Sequence, residues 1–503
     1  MMPTASAYVL TEKPGIQAPP YRRGKVDESY FFRSASGRGG FLVVSGWFTP
    51  VGAENHQPIA ATLRLGDEQW SFRWGLPRPD VAGADAQFSP HSGFAATLPV
   101  TRTPGPGSRF SIDFLAKDGH SGTLHCPVEF PEYEVEARAS DLAPLRLKKL
   151  RNLILNERER LSQVERVRSM PVTGQIDPAF ACNLECPLCL SQMIREDRYT
   201  LPNMRLGQLD HILGQYGDYL VRIWLSLWGE PLLNKNLPEM IRRCKQHDIW
   251  VLISSNMSVP LDDAAIEALV ASGLDTISLS IDGATQATYE QYRKRGNLGL
   301  ALDNARRLVA AKRRQRSATP HLYWRYLRFP WNGHEIEMAR QLAVEIGVDE
   351  FGIEPGIMTQ RTKHSKSNRP VDEKPLPAPA NLIARRQQQA DRRRTEYRYF
   401  GCDYLYQSIS VNSNGLVHPC CYVVSPEHAT GRAEDPVEAI RNGKVLRSSR
   451  RHYQQLARGK EAGAAYEPCL SCGVVATEDG HVRTQTNFVQ LYEYLLSGIP
   501  MRW

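Results

Sequence analysis

The sequence predicts an α/β protein: a partial barrel of about six β/α units, preceded by an antiparallel β-sandwich and followed by a small cysteine-rich module. Three observations carry this reading. From Gly174 to about Gly356, short apolar strands alternate with helical stretches. Between residues 28 and 132, runs of period-two hydrophobicity are separated by Gly and Pro. Eight of the ten cysteines fall in two groups, 182–189 and 402–472, with Cys126 and Cys244 standing apart.

At 503 residues, 42% hydrophobic and 23% charged, the chain is long enough for several globular domains. No apolar run approaches the ~20 residues of a membrane helix, so no membrane span is expected. Met1–Pro20 is polar and lacks the apolar core of a secretory signal, which points to a cytoplasmic location. In such a chain, clustered cysteines indicate metal rather than disulfides. The net charge of +8 invites a nucleic-acid reading. However, the basic runs Lys312–Arg316 and Arg385–Arg394 carry no interleaved aromatics, and single-strand surfaces need these for stacking. They read as a solvated helix face and a linker, and a nucleic-acid partner is not expected.

Residues 1–27 read as a loose tail and 28–135 as the β-sandwich. Its strands are marked by Phe41–Trp47, by Ile59, Ala61, Leu63 and Leu65, by Trp70, Phe72 and Trp74, by Phe94, Ala96 and Leu98, and by Phe110, Ile112 and Phe114. Arg78-Pro-Asp-Val-Ala with the later Ser92-Gly-Phe resembles small β-sandwich modules beside bacterial glycosyltransferases and other polysaccharide-pathway enzymes. Such a module serves either recognition or structure alone. In the linker 136–170, Leu142–Val167 carries Leu147, Leu150, Ile154, Leu161 and Val164 at helical spacing. The barrel, 171–358, has strand candidates Thr173–Ile176, Val221–Leu227, Trp250–Ser254, Thr276–Ser280, His321–Leu327 and Glu350–Glu354. Helices at Leu261–Ser272, Ala284–Lys294 and Glu335–Ile346 separate some of them. A linker spans 359–398, the cysteine module 399–480, and a short helix (Phe488–Leu496) closes the chain within 481–503. Active sites of parallel α/β sheets lie at the C-terminal strand ends.

Just after the first barrel strand stands Cys182-Asn-Leu-Glu-Cys186-Pro-Leu-Cys189. Three thiolates on one tight loop hold three irons of a 4Fe–4S cube. Such clusters normally take four Cys ligands, so one iron is left open. A structural zinc site needs four closed ligands, and no His or Cys follows within the next twenty residues. The second group contains Cys402, a hairpin turn at Asn414-Gly415, Pro419-Cys420-Cys421 and Cys469-Leu-Ser-Cys472. Five thiols suit a four-Cys zinc site or a fully ligated second cluster.

The CxxxCxxC loop after the first strand of a TIM-like barrel resembles the signature of the radical S-adenosylmethionine (SAM) superfamily. Single Cys, Gly hairpin, Pro-Cys-Cys and CxxC resemble its SPASM/Twitch extension, in the single-cluster form. The resemblance implies a 4Fe–4S cluster on Cys182, Cys186 and Cys189, with SAM chelating the open iron. It also implies an auxiliary 4Fe–4S cluster on Cys402, Cys420, Cys469 and Cys472. Trp228-Gly229-Glu230-Pro resembles the family's Gly-Gly-Glu segment, which assigns Gly229 and Glu230 to the SAM amino group. Ser255 and Asn256 stand where the family carries a Thr-Asn-Gly-like turn. Ser278, Ser280 and the following Arg293 resemble the set near the SAM carboxylate, a group that a guanidinium fork matches. Glu354, like Arg325, reaches the barrel mouth by strand position. Leu188 replaces a frequent aromatic.

The implied activity is reductive cleavage of SAM to a 5′-deoxyadenosyl radical, followed by abstraction of a substrate hydrogen, in an oxidoreductase-type reaction. A small reducing protein, flavodoxin or ferredoxin, would supply the electron. Asp403 and Tyr404, beside Cys402, are candidates for the catalytic base. An all-β N-terminal module favours a small-molecule sugar or glycan substrate; a ribosomal peptide is the alternative. A third reading, of another class, is a non-catalytic Fe–S or zinc scaffold. The presence of Glu230, Ser280 and Arg293 discriminates against it.

Overall fold

The computed structural model describes residues 23–34, 39–49, 58–72, 74–76, 93–105, 107–116, 121–187, 189, 202–356, 402–421, 423, 426–457, 488 and 490–501. Cys469, Cys472, Leu188, the Arg78–Ala82 motif, the linker 359–398 and the basic run 385–394 lie outside these residues. The chain divides into two compact units. One is built on the first 142 residues and includes 157–162, and the other comprises 143–156 and nearly everything after residue 162.

Among its described residues the first unit is β-structured apart from a short helix, Pro131–Ala137, and the end of a second helix at 157–161. Its strands are β1 (Arg23–Arg33), β2 (Gly40–Thr49), β3 (Pro58–Leu65), β4 (Glu68–Phe72), β5 (Trp74–Leu76), β6 (Gly93–Val100), β7 (Arg109–Ala116) and β8 (Ser121–Pro127). They form two four-stranded antiparallel sheets, β1-β2-β6-β5 and β4-β3-β7-β8. Alternate residues of both sheets share one core: Leu42, Val44 and Phe48 with Phe94 and Leu98, and Ala61 and Leu63 with Ile112, Phe114 and Leu124. Phe48 and Phe114 stack at 4.2 Å between centroids. β1 begins inside the stretch expected to be a tail. It escaped the periodicity because Lys25, Asp27 and Glu28 break up its apolar residues.

The second unit is organised by one sheet. Strands β9 (Thr173–Ile176), β10 (Arg222–Trp224), β11 (Trp250–Ser255), β12 (Thr276–Ser280), β13 (His321–Arg328) and β14 (Glu350–Pro355) run parallel in chain order. Helices Leu206–Tyr216, Leu237–Gln246, Asp263–Val270, Gln286–Tyr292, Leu298–Gln315 and Ile336–Ile346 fall between or beside them. Side chains alternate across each strand. Ile176, Ile223, Val251, Ile253, Ile277, Leu279, Leu322 and Trp324 enter one helix-covered core. The residues between them, Gln175, Arg222, Ser254, Ser278 and Arg325, therefore lie on the opposite face. Helix starts are set by side-chain caps: Asp262 accepts from Ala265 N–H, Thr285 from Thr288 N–H and Asn297 from Leu300 N–H. The basic run 312–316 ends the helix Leu298–Gln315 and is ion-paired there, Lys312 with Asp349 and Arg314 with Glu267.

The cysteine module joins this sheet directly. β15 (Ser408–Val411) pairs parallel with β9, and β16 (Leu416–His418) and β17 (Gly431–Arg432) extend the sheet in antiparallel fashion. The hairpin predicted at Asn414-Gly415 forms, with Gly415 at φ +85°, a conformation that favours glycine. The helix expected over 142–167 is Pro144–Leu161. It stops short of Val164, and Gln163 takes φ +50°. On it, Lys149 is fully buried, and its Nζ donates to the carbonyls of Leu220, His247 and Asp248 at 2.5, 2.6 and 3.1 Å. Burial, helped by the charges of Arg146 and Lys245 and opposed by Asp248 and Asp218, pushes this amine down to about 7, whereas three converging carbonyls need the three protons of an ammonium. Lys149→Met keeps the volume but strands those carbonyls, so thermal unfolding should show the second unit destabilised by about 3 kcal/mol or more.

Candidate functional site

The three thiols of the first group belong to one loop fastened to the C-terminal ends of β9 to β12. Cys189 N–H donates to Cys186 O at 3.1 Å, closing Cys186-Pro-Leu-Cys189 into a turn, and Glu185 N–H donates to Lys294 O at 3.1 Å. Asn183 Nδ2 donates to Ser258 O at 2.6 Å and Asn256 Nδ2 to Asn183 Oδ1 at 3.0 Å. The loop is thus tied to the turn after β11 and to the end of helix Gln286–Tyr292. Burial pushes the Cys186 thiol up to about 11, Arg293 opposes the shift, and Cys182 and Cys189 add to it. Cys182 and Cys189 are thus both near enough to Cys186 for their charges to act on it.

Gly229 makes the close approach possible. Glu230 N–H donates to Ala181 O at 2.8 Å, and a Cβ on Gly229 would stand 1.7 Å from Ala179 O and 2.6 Å from Ala181 O. No other residue fits against the segment that leads into Cys182. The carboxyl of Glu230, 2% exposed, accepts from Leu232 N–H at 3.1 Å, Ser255 Oγ at 2.8 Å and Asn256 N–H at 2.9 Å. Burial outweighs these bonds and pushes it up to about 7. It is a buried carboxyl held by neutral donors, poised to gain from a cationic ligand.

Arg293 donates through Nε to Asp282 Oδ2 at 2.6 Å, and its Nη1 lies 3.9 Å from Cys186 Sγ. The hydroxyl of Tyr289 is pushed well above its usual range by burial, and the charges of Arg293, Asp282, Cys186 and Glu230 all act on it. Ser278 and Ser280 are buried on β12. Ser278 Oγ has no hydrogen-bond partner among the described residues. Ser255 serves Glu230 and Met257 N–H, so it positions the carboxyl. Glu354, on the sixth parallel strand, accepts from Tyr323 OH at 3.3 Å.

In the second group, Cys402 precedes the hairpin and Cys420 and Cys421 follow it, all three half-buried. The Cys402 turn is clamped by two buried arginines. Arg450 Nε and Nη2 donate to Leu405 O at 3.0 and 2.6 Å, and Arg441 Nη2 donates to Tyr406 O at 2.8 Å. Tyr404 is close enough to Arg222 on β10 to support its charge. Asp403 begins the helical turn Tyr404–Gln407. Asp282 and Tyr289 belong to the stretch from Ile277 to Arg293 that the sequence brought forward, but it gave them no role. Asn183, inside the thiol loop, is recognisable as a tie only once the loop is folded.

The model of the radical SAM superfamily matches residues 176–323, and that of the SPASM iron–sulfur cluster-binding domain matches 402–473. The chain thus carries a region that matches the radical SAM domain and a second that matches the SPASM domain. Similar curated proteins include GTP 3′,8-cyclase of Chlorobaculum tepidum, 29% identical over 23% of this chain and 34% of the relative. Mycofactocin maturase MftC of Mycobacterium tuberculosis is 26% identical over 30% and 38%. PqqA peptide cyclase of Granulibacter bethesdensis is 28% identical over 26% and 33%. The chain thus spans between a third and two-fifths of these relatives' length. Among solved structures, Streptococcus suis SuiB bound to S-adenosylmethionine aligns over 69% of this chain and 82% of that one, at 16% identity and TM-score 0.45.

The two domains imply a SAM-binding 4Fe–4S cluster and auxiliary iron–sulfur ligation, and the residues present fit. Two N–H donors face the Cys182 sulfur, Leu184 N–H at 3.4 Å and Asn256 Nδ2 at 3.8 Å. Glu230 offers a buried carboxylate nearby. Among the described residues, no three His, Cys, Asp or Glu side chains converge to hold a single ion. A cube needs no such convergence, because each thiolate takes its own iron. Among the described residues, no helix is long and apolar enough to cross a membrane.

Gly229→Ala should force Ala179–Ala181 away from its strand-end position at a cost of about 1–3 kcal/mol. Iron retained by the triplet after gel filtration should fall, while far-UV circular dichroism stays close to wild type. Full iron retention would contradict the close-approach argument.

Proposed function

We propose that this chain is an enzyme that reductively cleaves SAM, with Cys182, Cys186 and Cys189 holding the cluster and Glu230 holding the SAM ammonium. When bound, cluster and SAM supply a 5′-deoxyadenosyl radical that abstracts a substrate hydrogen. The observation that carries the reading is the run of contacts at the C-terminal strand ends from Glu230 through Asn256 to Cys182, with the Asp282-anchored Arg293 at 3.9 Å from Cys186. The chain's own residues fix the loop through Asn183, Asn256 and Gly229, and orient Glu230 through Ser255 and two backbone N–H groups. Ser278 and Ser280 lie on the strand beside them and suit hydrogen bonding to the SAM carboxylate.

In this reading the six parallel strands form a partial β/α barrel over 171–358, and the two-sheet unit over 28–135 is a β-sandwich accessory module. Residues 399–480 form the auxiliary-cluster domain, with Cys402, Cys420, Cys469 and Cys472 as ligands. Asp403 and Tyr404, beside Cys402, would be the groups to accept a substrate proton near that site. Among the relatives, PqqA peptide cyclase is named for a peptide. None of those described is named for a sugar. This favours a peptide substrate over the sugar- or glycan-linked one expected from the N-terminal module.

Protein reconstituted anaerobically with iron and sulfide should hold about eight irons per chain, four for each cube. After reduction it should release 5′-deoxyadenosine from SAM. Cys186→Ala should lose that release, and continued release would remove the triplet from the cleavage site.

Glu230 gives the pH dependence its sign. Its carboxyl is pushed up to about 7, so it is ionised above that pH and protonated below. An ammonium ligand binds the ionised form, so SAM affinity should weaken as pH falls through about 7. Glu230→Gln should weaken SAM binding by tenfold or more at pH 8 and flatten the profile, as measured by equilibrium dialysis; loss of a charge-assisted bond of about 1.5–3 kcal/mol sets that scale.

A further inference from the structure

Two side chains that the sequence assigns to SAM are turned towards sulfur. Arg293 Nη1 lies 3.9 Å from Cys186 Sγ, and Asn256 Nδ2 lies 3.8 Å from Cys182 Sγ. Each is held from behind. Asp282, with a fully buried side chain, accepts from Arg293 Nε at 2.6 Å and from Leu327 N–H at 2.8 Å. Asn256 is fixed by Asn183 Oδ1 at 3.0 Å and by Ser258 N–H, which donates to its Oδ1 at 2.7 Å. With Nε committed to Asp282 and Nη1 facing the sulfur, the guanidinium is oriented before any ligand arrives.

We propose that Arg293, anchored by Asp282, is the charge partner of the Cys186 thiolate and raises the reduction potential of the cluster on the triplet, with Asn256 acting on Cys182 in the same sense. The inference rests on the triplet being the cluster site. A cluster gains negative charge on reduction, and hydrogen bonds and positive charge at its sulfurs favour the reduced form. The Arg293 side chain is 11% exposed, so solvent screens it little. Arg293 is thereby a positioning and tuning residue for the electron that starts the reaction, beyond any contact it makes with SAM.

The test is a redox titration followed by electron paramagnetic resonance. It uses the reconstituted full chain without SAM, and the triplet's signal is identified as the one that Cys186→Ala removes. Arg293→Gln should show a midpoint more negative than wild type, and Asn256→Ala should shift in the same direction by less. Coincident midpoints for wild type and Arg293→Gln would overturn the proposal, even if SAM affinity fell, because Arg293 would then act only as a carboxylate ligand. Should the Gln variant lose the cluster, Arg293→Lys decides. Its ammonium cannot keep both Asp282 and the sulfur, so its midpoint should still fall, and an unchanged midpoint overturns the proposal. Finding in wild type no signal that Cys186→Ala removes would instead overturn the cluster reading itself.

Discussion

The site depends on one contact, the backbone of Gly229-Glu230 laid directly against Ala179–Ala181. The Glu230 N–H to Ala181 O bond and the space left by the missing Cβ at Gly229 bring the start of the thiol loop onto the end of β10. Everything chemically active is positioned from there. Glu230 turns inward to Ser255 and Asn256 at the end of β11. Asn256 reaches Cys182 and Asn183, and the far side of the loop closes on Lys294 and Arg293 beyond β12. Successive strand ends each contribute one or two side chains to a single place, as parallel sheets favour.

The same sheet carries the second cysteine group. Because β15 pairs with β9 in parallel register, Cys402, which precedes β15, lies towards the N-terminal end of the pair, and Cys182 follows the C-terminal end of β9. The two thiol groups are thus built on adjacent strands of one sheet rather than on separate folds. The clamp of Arg441 and Arg450 on the carbonyls of Leu405 and Tyr406 fixes the Cys402 turn against this sheet. Buried guanidiniums suit that task, because each offers five donors in a rigid fork.

Much of this was legible in the sequence, for identifiable reasons. The strands Thr173–Ile176 and Thr276–Ser280 were bounded to the residue, because apolar alternation and flanking turn residues mark a buried strand on both sides. The thiol triplet, Gly229-Glu230 and the Asn414-Gly415 hairpin were readable because their spacing encodes local geometry. The pairing of β15 with β9 was not, since sheet neighbours far apart in sequence leave no local pattern. Nor was the direction in which Arg293 and Asn256 point. Residue type suggested a carboxylate partner for Arg293, whereas Asp282 and the folded loop turn it to Cys186. β1 was hidden by its own charges, and the end of the long helix by Gln163, whose left-handed backbone has no sequence signature.

The central claim is that Cys182, Cys186 and Cys189 hold a cluster that SAM engages directly. The most direct measurement is the electron paramagnetic resonance spectrum of the reduced, reconstituted protein before and after SAM is added. The same pair of spectra is needed for a variant with all three cysteines replaced by alanine. The account predicts that SAM alters one cluster signal in the wild type, and that the variant lacks that signal while keeping its auxiliary cluster. A variant that keeps the SAM-sensitive signal would contradict it.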